Sequence, residues 1–185
     1  MCTENGFAQI EGYLSSEEAF NGVLFVLKEP NAEEQGCFWF RERLRNGFSG
    51  DDPGSPAEKR VFSRMRKTFE TLLTYCGADL CLKDCAFANI RPQNGENRET
   101  KAYRELEDKY KVERIDSLIA ACRPRFVFVC KDVFAALARG APCCEDGVRY
   151  GNRQLKTLTR NGAVTVFEIC HPSYRRISYP KRKEE

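Results

Sequence analysis

The run Gly22-Val23-Leu24-Phe25-Val26-Leu27 is apolar without alternation and breaks at once into Lys28-Glu29-Pro30-Asn31. A strand with one wet face alternates apolar and polar side chains. One that does not alternate is covered on both faces, as in a parallel sheet. Proline cannot donate to a strand ladder, so the strand stops there and a loop begins. Cys85-Ala86-Phe87-Ala88-Asn89-Ile90 repeats the pattern and ends at Arg91-Pro92. Arg125-Phe126-Val127-Phe128-Val129-Cys130 repeats it after Pro124, and Val164 to Cys170 gives a last strand that ends at His171-Pro172-Ser173.

Helical patterns lie between these strands. Ser55-Pro56-Ala57-Glu58 is a helix start: a capping serine, proline at the first helical position and a glutamate that completes a capping box. Val61, Phe62, Met65, Phe69, Leu72 and Leu73 then share one face, and Gly77 ends the helix. A helical flavour also marks Phe38 to Arg45. A longer helical pattern runs from Thr100 to Cys122 with a break expected near Lys111, and a short helix runs from Asp132 to Ala138. The segment from Pro142 to Gly162 reads as irregular and turn-rich. Strands alternating with helices predict an α/β protein with a mostly parallel sheet and helices on both faces.

The chain of 185 residues is 42% hydrophobic and 31% charged, which suits one soluble domain over residues 1–185. A net charge of +3 is too mild to announce a nucleic-acid partner by itself. The charge is uneven, however. Arg175, Arg176, Lys181, Arg182 and Lys183 crowd the end of the chain, with Tyr174 and Tyr179 among them. Basic groups interleaved with rings suit phosphate contact and base stacking. Residues 181–185 read as a flexible basic tail. No stretch approaches the roughly 18 apolar residues of a membrane span, and the N-terminus lacks the order of a signal peptide. A cytoplasmic protein is expected, so the 10 cysteines are expected to remain thiols. No Cys-x-x-Cys pair occurs and His171 is the only imidazole, so neither zinc nor an iron–sulfur cluster is expected.

In a parallel sheet the strands end on one edge, where α/β proteins bind ligands. Three loops gather there: Lys28 to Asn31, Asn89-Ile90-Arg91-Pro92 with Asn94, Asn97 and Arg98, and His171-Pro172-Ser173. They offer a carboxylate, an amide, an imidazole and several cations. A glycine-rich dinucleotide fingerprint and a phosphate-cradling Gly-Lys-Ser/Thr are both absent, which disfavours ordinary nucleotide sites. Each residue also has a plainer use, since glutamate before proline is often a solvated turn residue and asparagine often caps a turn.

In order and spacing these three motifs resemble those of the uracil-DNA glycosylase superfamily, most closely the branch whose middle motif also reads Arg-Pro…Asn-Arg. The resemblance spans residues 22 to 176. It implies a three-layer α/β/α sandwich with a four-stranded parallel sheet. It further implies a metal-free DNA glycosylase, expected to act as a monomer, that removes a flipped, deaminated base. Glu29 matches the residue that positions or activates water, and His171 the histidine that bonds the base carbonyl. Asn89 matches the asparagine that reads the base edge. One of Phe38, Trp39 and Phe40 matches the ring that stacks on the base, with Trp39 or Phe40 preferred. Arg175, Arg176 and Ile177 fall where the family enters the minor groove, and Arg91, Arg98 and Ser173 complete the DNA-binding candidates. Leu27 and Asn31 stand where the family usually carries small residues, and Lys28 is unusual. Cys122 roughly matches one cluster-binding position of the iron–sulfur branch, but the other cysteines of that set are missing.

Hydrolysis of a glycosidic bond leaves a cationic sugar and an anionic base, and the three motif residues suit those charges. A non-catalytic nucleic-acid or nucleobase-binding protein on the same fold is the alternative expectation, motivated by Leu27, Lys28 and Asn31.

Overall fold

Gly22 opens the central strand in a conformation that L side chains rarely adopt, with φ of 85°. A Cβ there would come within 3.0 Å of Arg125 Nε, and the Gly22 carbonyl accepts the backbone N–H groups of Arg125 at 2.8 Å and Phe126 at 3.0 Å. Glycine therefore lets two neighbouring strands begin side by side. The computed structural model describes residues 12–13, 16–28, 56–77, 79–91, 101–139, 148–150 and 153–171.

Among these residues the order is β1 (Gly12–Tyr13), β2 (Val23–Leu27), α1 (Pro56–Leu73), a 3-10 turn (Leu82–Asp84) and β3 (Ala86–Asn89). Then come α2 (Lys101–Arg104), α3 (Asp108–Cys122), β4 (Phe126–Cys130) and α4 (Lys131–Ala138). The chain continues with β5 (Val148–Tyr150), β6 (Arg153–Leu155), β7 (Thr157–Arg160) and β8 (Val164–Ile169). The main sheet has six strands in the order β1-β3-β2-β4-β8-β7. The pairs β3–β2, β2–β4 and β4–β8 are parallel, whereas β1 and β7 join the two edges antiparallel. The protein is thus α/β with a mixed sheet, larger than the four-stranded parallel sheet that the resemblance implies.

The register explains the core. Phe87, Phe25, Phe128 and Phe167 are Cα partners across the four parallel strands. Their rings stack along the sheet at centroid distances of 5.1, 4.9 and 4.8 Å. Phe69 of α1 closes over the row, 4.6 Å from Phe25 and 5.0 Å from Phe87. Burying a large apolar side chain contributes about 1.5–3 kcal/mol, and an aromatic pair adds roughly 0.5–1.5 kcal/mol. This row therefore locks register as well as stability. On the opposite face Leu24, Val26, Ala86, Ala88, Val127, Val129 and Val166 pack against Ile115, Leu118 and Ile119 of α3 and Val133, Phe134 and Leu137 of α4. The small Ala86 and Ala88 leave room for helices on that side.

Three segments differ from the sequence reading. The helical pattern after Thr100 is two helices, and its break comes at Glu105–Glu107, before Lys111. The segment expected to be irregular contains β5, β6 and β7. Asn161 and Gly162, with φ of 50° and 73°, turn β7 back into β8. Positive φ at both central residues is what an Asn-Gly hairpin turn favours, and Ala163 N–H closes it on the Arg160 carbonyl at 3.3 Å. The two-residue β1 was also missed, being too short to carry a pattern. The expected helical stretch from Phe38 and the tail at 181–185 lie outside the described residues. No described helix is long and apolar enough to cross a membrane.

Candidate functional site

Because β3, β2, β4 and β8 pair in parallel, their C-terminal ends share one edge of the sheet. The last paired rows are Leu27 with Asn89 and Cys130 with Ile169. Pairing of β2 and β3 persists past the strands: Ile90 N–H donates to the Leu27 carbonyl at 2.9 Å and Arg91 N–H to the Lys28 carbonyl at 3.0 Å. Two of the three expected loops therefore leave the sheet side by side. The third leaves β8 two strands away from β2, and His171 stands two residues beyond Ile169.

Asn89 is the last residue of β3 and is only 7% exposed. Side chains alternate along a strand, so Asn89 shares the face of Phe87, the face that α1 covers. Its main chain is held from the other side. The Nε–H of Arg114, on α3, donates to the Asn89 carbonyl at 3.1 Å, and Arg114 is itself only 1% exposed. His171 and Arg91 are half-buried at the same edge. Glu29, Phe38, Trp39, Phe40, Arg98, Ser173, Arg175, Arg176 and Ile177 lie outside the described residues.

A charged cluster that the sequence reading missed occupies the α3–α4 side of this edge. Asp132 sits in the first turn of α4, directly after β4. Its Oδ2 accepts the Tyr103 hydroxyl at 2.8 Å and lies 3.6 Å from Lys111 Nζ, while its Oδ1 lies 3.7 Å from Lys28 Nζ. Both ammonium groups also face the Tyr103 ring, at 5.3 Å for Lys28 and 5.7 Å for Lys111, within cation–π reach. Burial works to raise the Asp132 carboxyl, but the Tyr103 hydroxyl and the two lysines outweigh it and hold the group below its ordinary range. Asp132 is therefore ionised at neutral pH. The signal for it in the sequence is Lys111, a cation on the inner face of the helix Asp108–Cys122.

The opposite edge of the sheet carries thiols, with Arg125 and Asp84 beside them. Asn21 donates through Nδ2 to the Cys81 carbonyl at 2.9 Å and to Cys85 Sγ at 3.5 Å. Burial pushes the thiols of Cys76 and Cys85 up to about 12. Cys122 is also pushed up to about 12 by burial, and its Sγ–H donates to the Leu118 carbonyl at 3.1 Å. Such thiols are poor nucleophiles and poor metal ligands. Among the described residues no group of three or more His, Cys, Asp or Glu side chains is placed to hold a metal ion.

The arrangement at the strand ends offers an amide, an imidazole and a buried cationic scaffold around one sheet edge. Compared with protein-family models the chain matches none, and no curated protein matches it either.

Proposed function

We propose that the protein is a DNA glycosylase that hydrolyses the N-glycosidic bond of uracil or a related deaminated base. On this reading the chain is a variant of the three-layer uracil-DNA glycosylase fold, with the parallel run β3-β2-β4-β8 as its centre. The observation that carries the reading is the shared sheet edge at which Asn89 ends β3 and His171 follows β8. Three inter-strand spacings of ~4.8 Å separate these strands by about 14 Å. That gap suits one planar base held between an amide and an imidazole.

In this mechanism the flipped base enters between the two. Asn89 reads its edge, because one amide both donates and accepts. Bond cleavage places negative charge on the base and positive charge on the sugar. His171 donates to the base oxygen as that charge grows, and the Glu29 carboxylate stabilises the sugar and accepts a proton from the attacking water. A ring from Phe38, Trp39 or Phe40 stacks on the base. Arg91, Arg98, Ser173, Arg175 and Arg176 contact the DNA backbone, and Ile177 fills the vacated stack.

One observation favours a second reading. Leu27, where the resembled family usually has a small residue, is 6% exposed and packed in the core on the α1 face. A bulky neighbour at that point narrows the way for water, which would leave a binding protein without catalysis. The test is release of free base from single- and double-stranded DNA carrying uracil, hypoxanthine or xanthine, with Glu29→Gln, Asn89→Ala and His171→Ala in parallel. The glycosylase reading expects release by the wild type and at least a hundredfold loss in each variant. Salt-dependent DNA binding with no release would support the second reading.

A further inference from the structure

The two sides of α1 differ in charge as well as in hydropathy. Met65, Phe69, Leu72 and Leu73 are buried in the core against the sheet. At about 100° per residue, the side opposite them carries Lys59, Arg60, Arg64, Arg66, Lys67 and Glu70. The one carboxylate of that side is taken up by Arg66 at 2.8 Å. Among the described residues Arg60, Arg64 and Lys67 pair with no carboxylate. Arg60 and Lys67 are exposed, and Arg64 is half-buried, its Nε sealed from solvent without an acceptor. With Glu58 and Glu70 its only acids, α1 alone matches the net charge of +3 of the whole chain. Charges on α2 and α3 are mixed instead: Lys101 lies 3.5 Å from Glu105, and Lys109 lies 3.8 Å from Glu113.

This basic side flanks the strand ends. Cys76, just past α1, interacts electrostatically with Cys85, just before β3, so α1 finishes at the edge where the strands start. Phe69 meets Phe25 at the middle of β2. Back from Phe69 the helix rises about 7.5 Å to Arg64 and about 13.5 Å to Arg60. From Phe25 to Leu27 the strand advances only about 7 Å. Arg64 is thus level with the end of β2, and Arg60 stands a turn beyond it. We propose that the outer side of α1 is a DNA-backbone contact surface, on which Arg60, Arg64 and Lys67 meet phosphates beside the flipped nucleotide. The inference rests on the reading of the protein as acting on DNA and extends the interface to a helix outside the three edge loops. Cations spaced along a helix without intervening anions neutralise phosphates and release their counterions. A phosphate oxygen also gives the Arg64 side chain an acceptor that the fold does not supply. A lipid surface fits worse, because Met65, Phe69 and Leu72 face the sheet and the outer side has no apolar anchor to enter a bilayer.

Fluorescence anisotropy of the full chain with a short labelled duplex lacking uracil tests the surface apart from catalysis. The triple variant Arg60→Gln, Arg64→Gln, Lys67→Gln should bind about tenfold more weakly at fixed salt. Its slope of log Kd against log salt should fall by about 2–3, since each phosphate contact contributes roughly 0.9. Glutamine is a good helix former, so far-UV circular dichroism should not change. Arg60→Lys with Arg64→Lys should keep most of the slope. A second triple variant, Lys101→Gln, Arg104→Gln, Lys109→Gln, removes the same charge from exposed positions on α2 and α3 and should shift binding less than twofold. An equal loss in both triple variants, or none in the first, overturns the proposal. So does a wild type that binds no DNA, whether or not it binds phosphatidylserine vesicles. Base release separates the two claims. If the wild type releases uracil, the first triple variant should raise KM at least fivefold with kcat within twofold, and an unchanged KM overturns the surface. If the wild type binds the duplex and releases nothing, the glycosylase reading fails, and the salt slope still decides whether α1 contacts DNA.

Discussion

Arg114 donates its Nε–H to the Asn89 carbonyl at 3.1 Å from a position almost sealed from solvent. The residue proposed to read the base is therefore held through its main chain by α3. A hydrogen bond to a charged group contributes about 1.5–3 kcal/mol. Arg114→Met should lower stability by about that amount in urea unfolding and reduce base release roughly tenfold through a displaced Asn89. An unchanged unfolding midpoint would show that the bond holds nothing.

The phenylalanine row makes a separate claim about register. Phe25 lies between Phe87 and Phe128 and beneath Phe69, whereas Phe167 ends the row. Phe25→Ala should cost about 3–5 kcal/mol in chemical unfolding, and Phe167→Ala should cost less. Equal costs would mean that stacking within the row does not matter.

Acid should weaken the pairing of Asp132 with Lys28 and Lys111 in a defined direction. The folded carboxyl is held below its ordinary value of 3.8. The unfolded chain then binds this proton more tightly than the folded one. Its contribution is complete above that ordinary value and is lost as pH falls through the folded value. The stability gap between wild type and Asp132→Asn should be constant from about pH 5 to 7 and shrink below about pH 4. A gap that widens in acid would reverse the sign.

Burial of Cys85 and Cys122 makes a chemical prediction. A thiol pushed from 9.0 up to about 12 forms about a thousandfold less thiolate at a given pH. Alkylation followed by peptide mapping should label both at least a hundredfold more slowly in the native protein than in urea. Equal rates would place these thiols at the surface.

Much of the sheet was legible because unalternating runs such as Val23–Leu27 and Phe126–Cys130 declare burial on both faces. The proline and polar residues after them marked where loops begin. The hairpin at Asn161-Gly162 is also written in the sequence, at the end of a segment that reads only as irregular and turn-rich. The placement of Asn89 and His171 at one edge follows from strand order, which motifs indicate only through resemblance. Lys111, Arg114 and Asp132 were not legible. Each looks like an ordinary surface charge until the helices are packed, and only tertiary contact makes one carboxylate the partner of two distant lysines.

The central claim is that Asn89 and His171 hold one base between them, and a crystal of the protein soaked with uracil tests it most directly. The account predicts uracil at the C-terminal edge of the sheet, with the Asn89 amide and the His171 imidazole within hydrogen-bond distance of the same ring. Side chains of Asn89 and His171 that cannot reach a common ring, or uracil bound elsewhere, would contradict it.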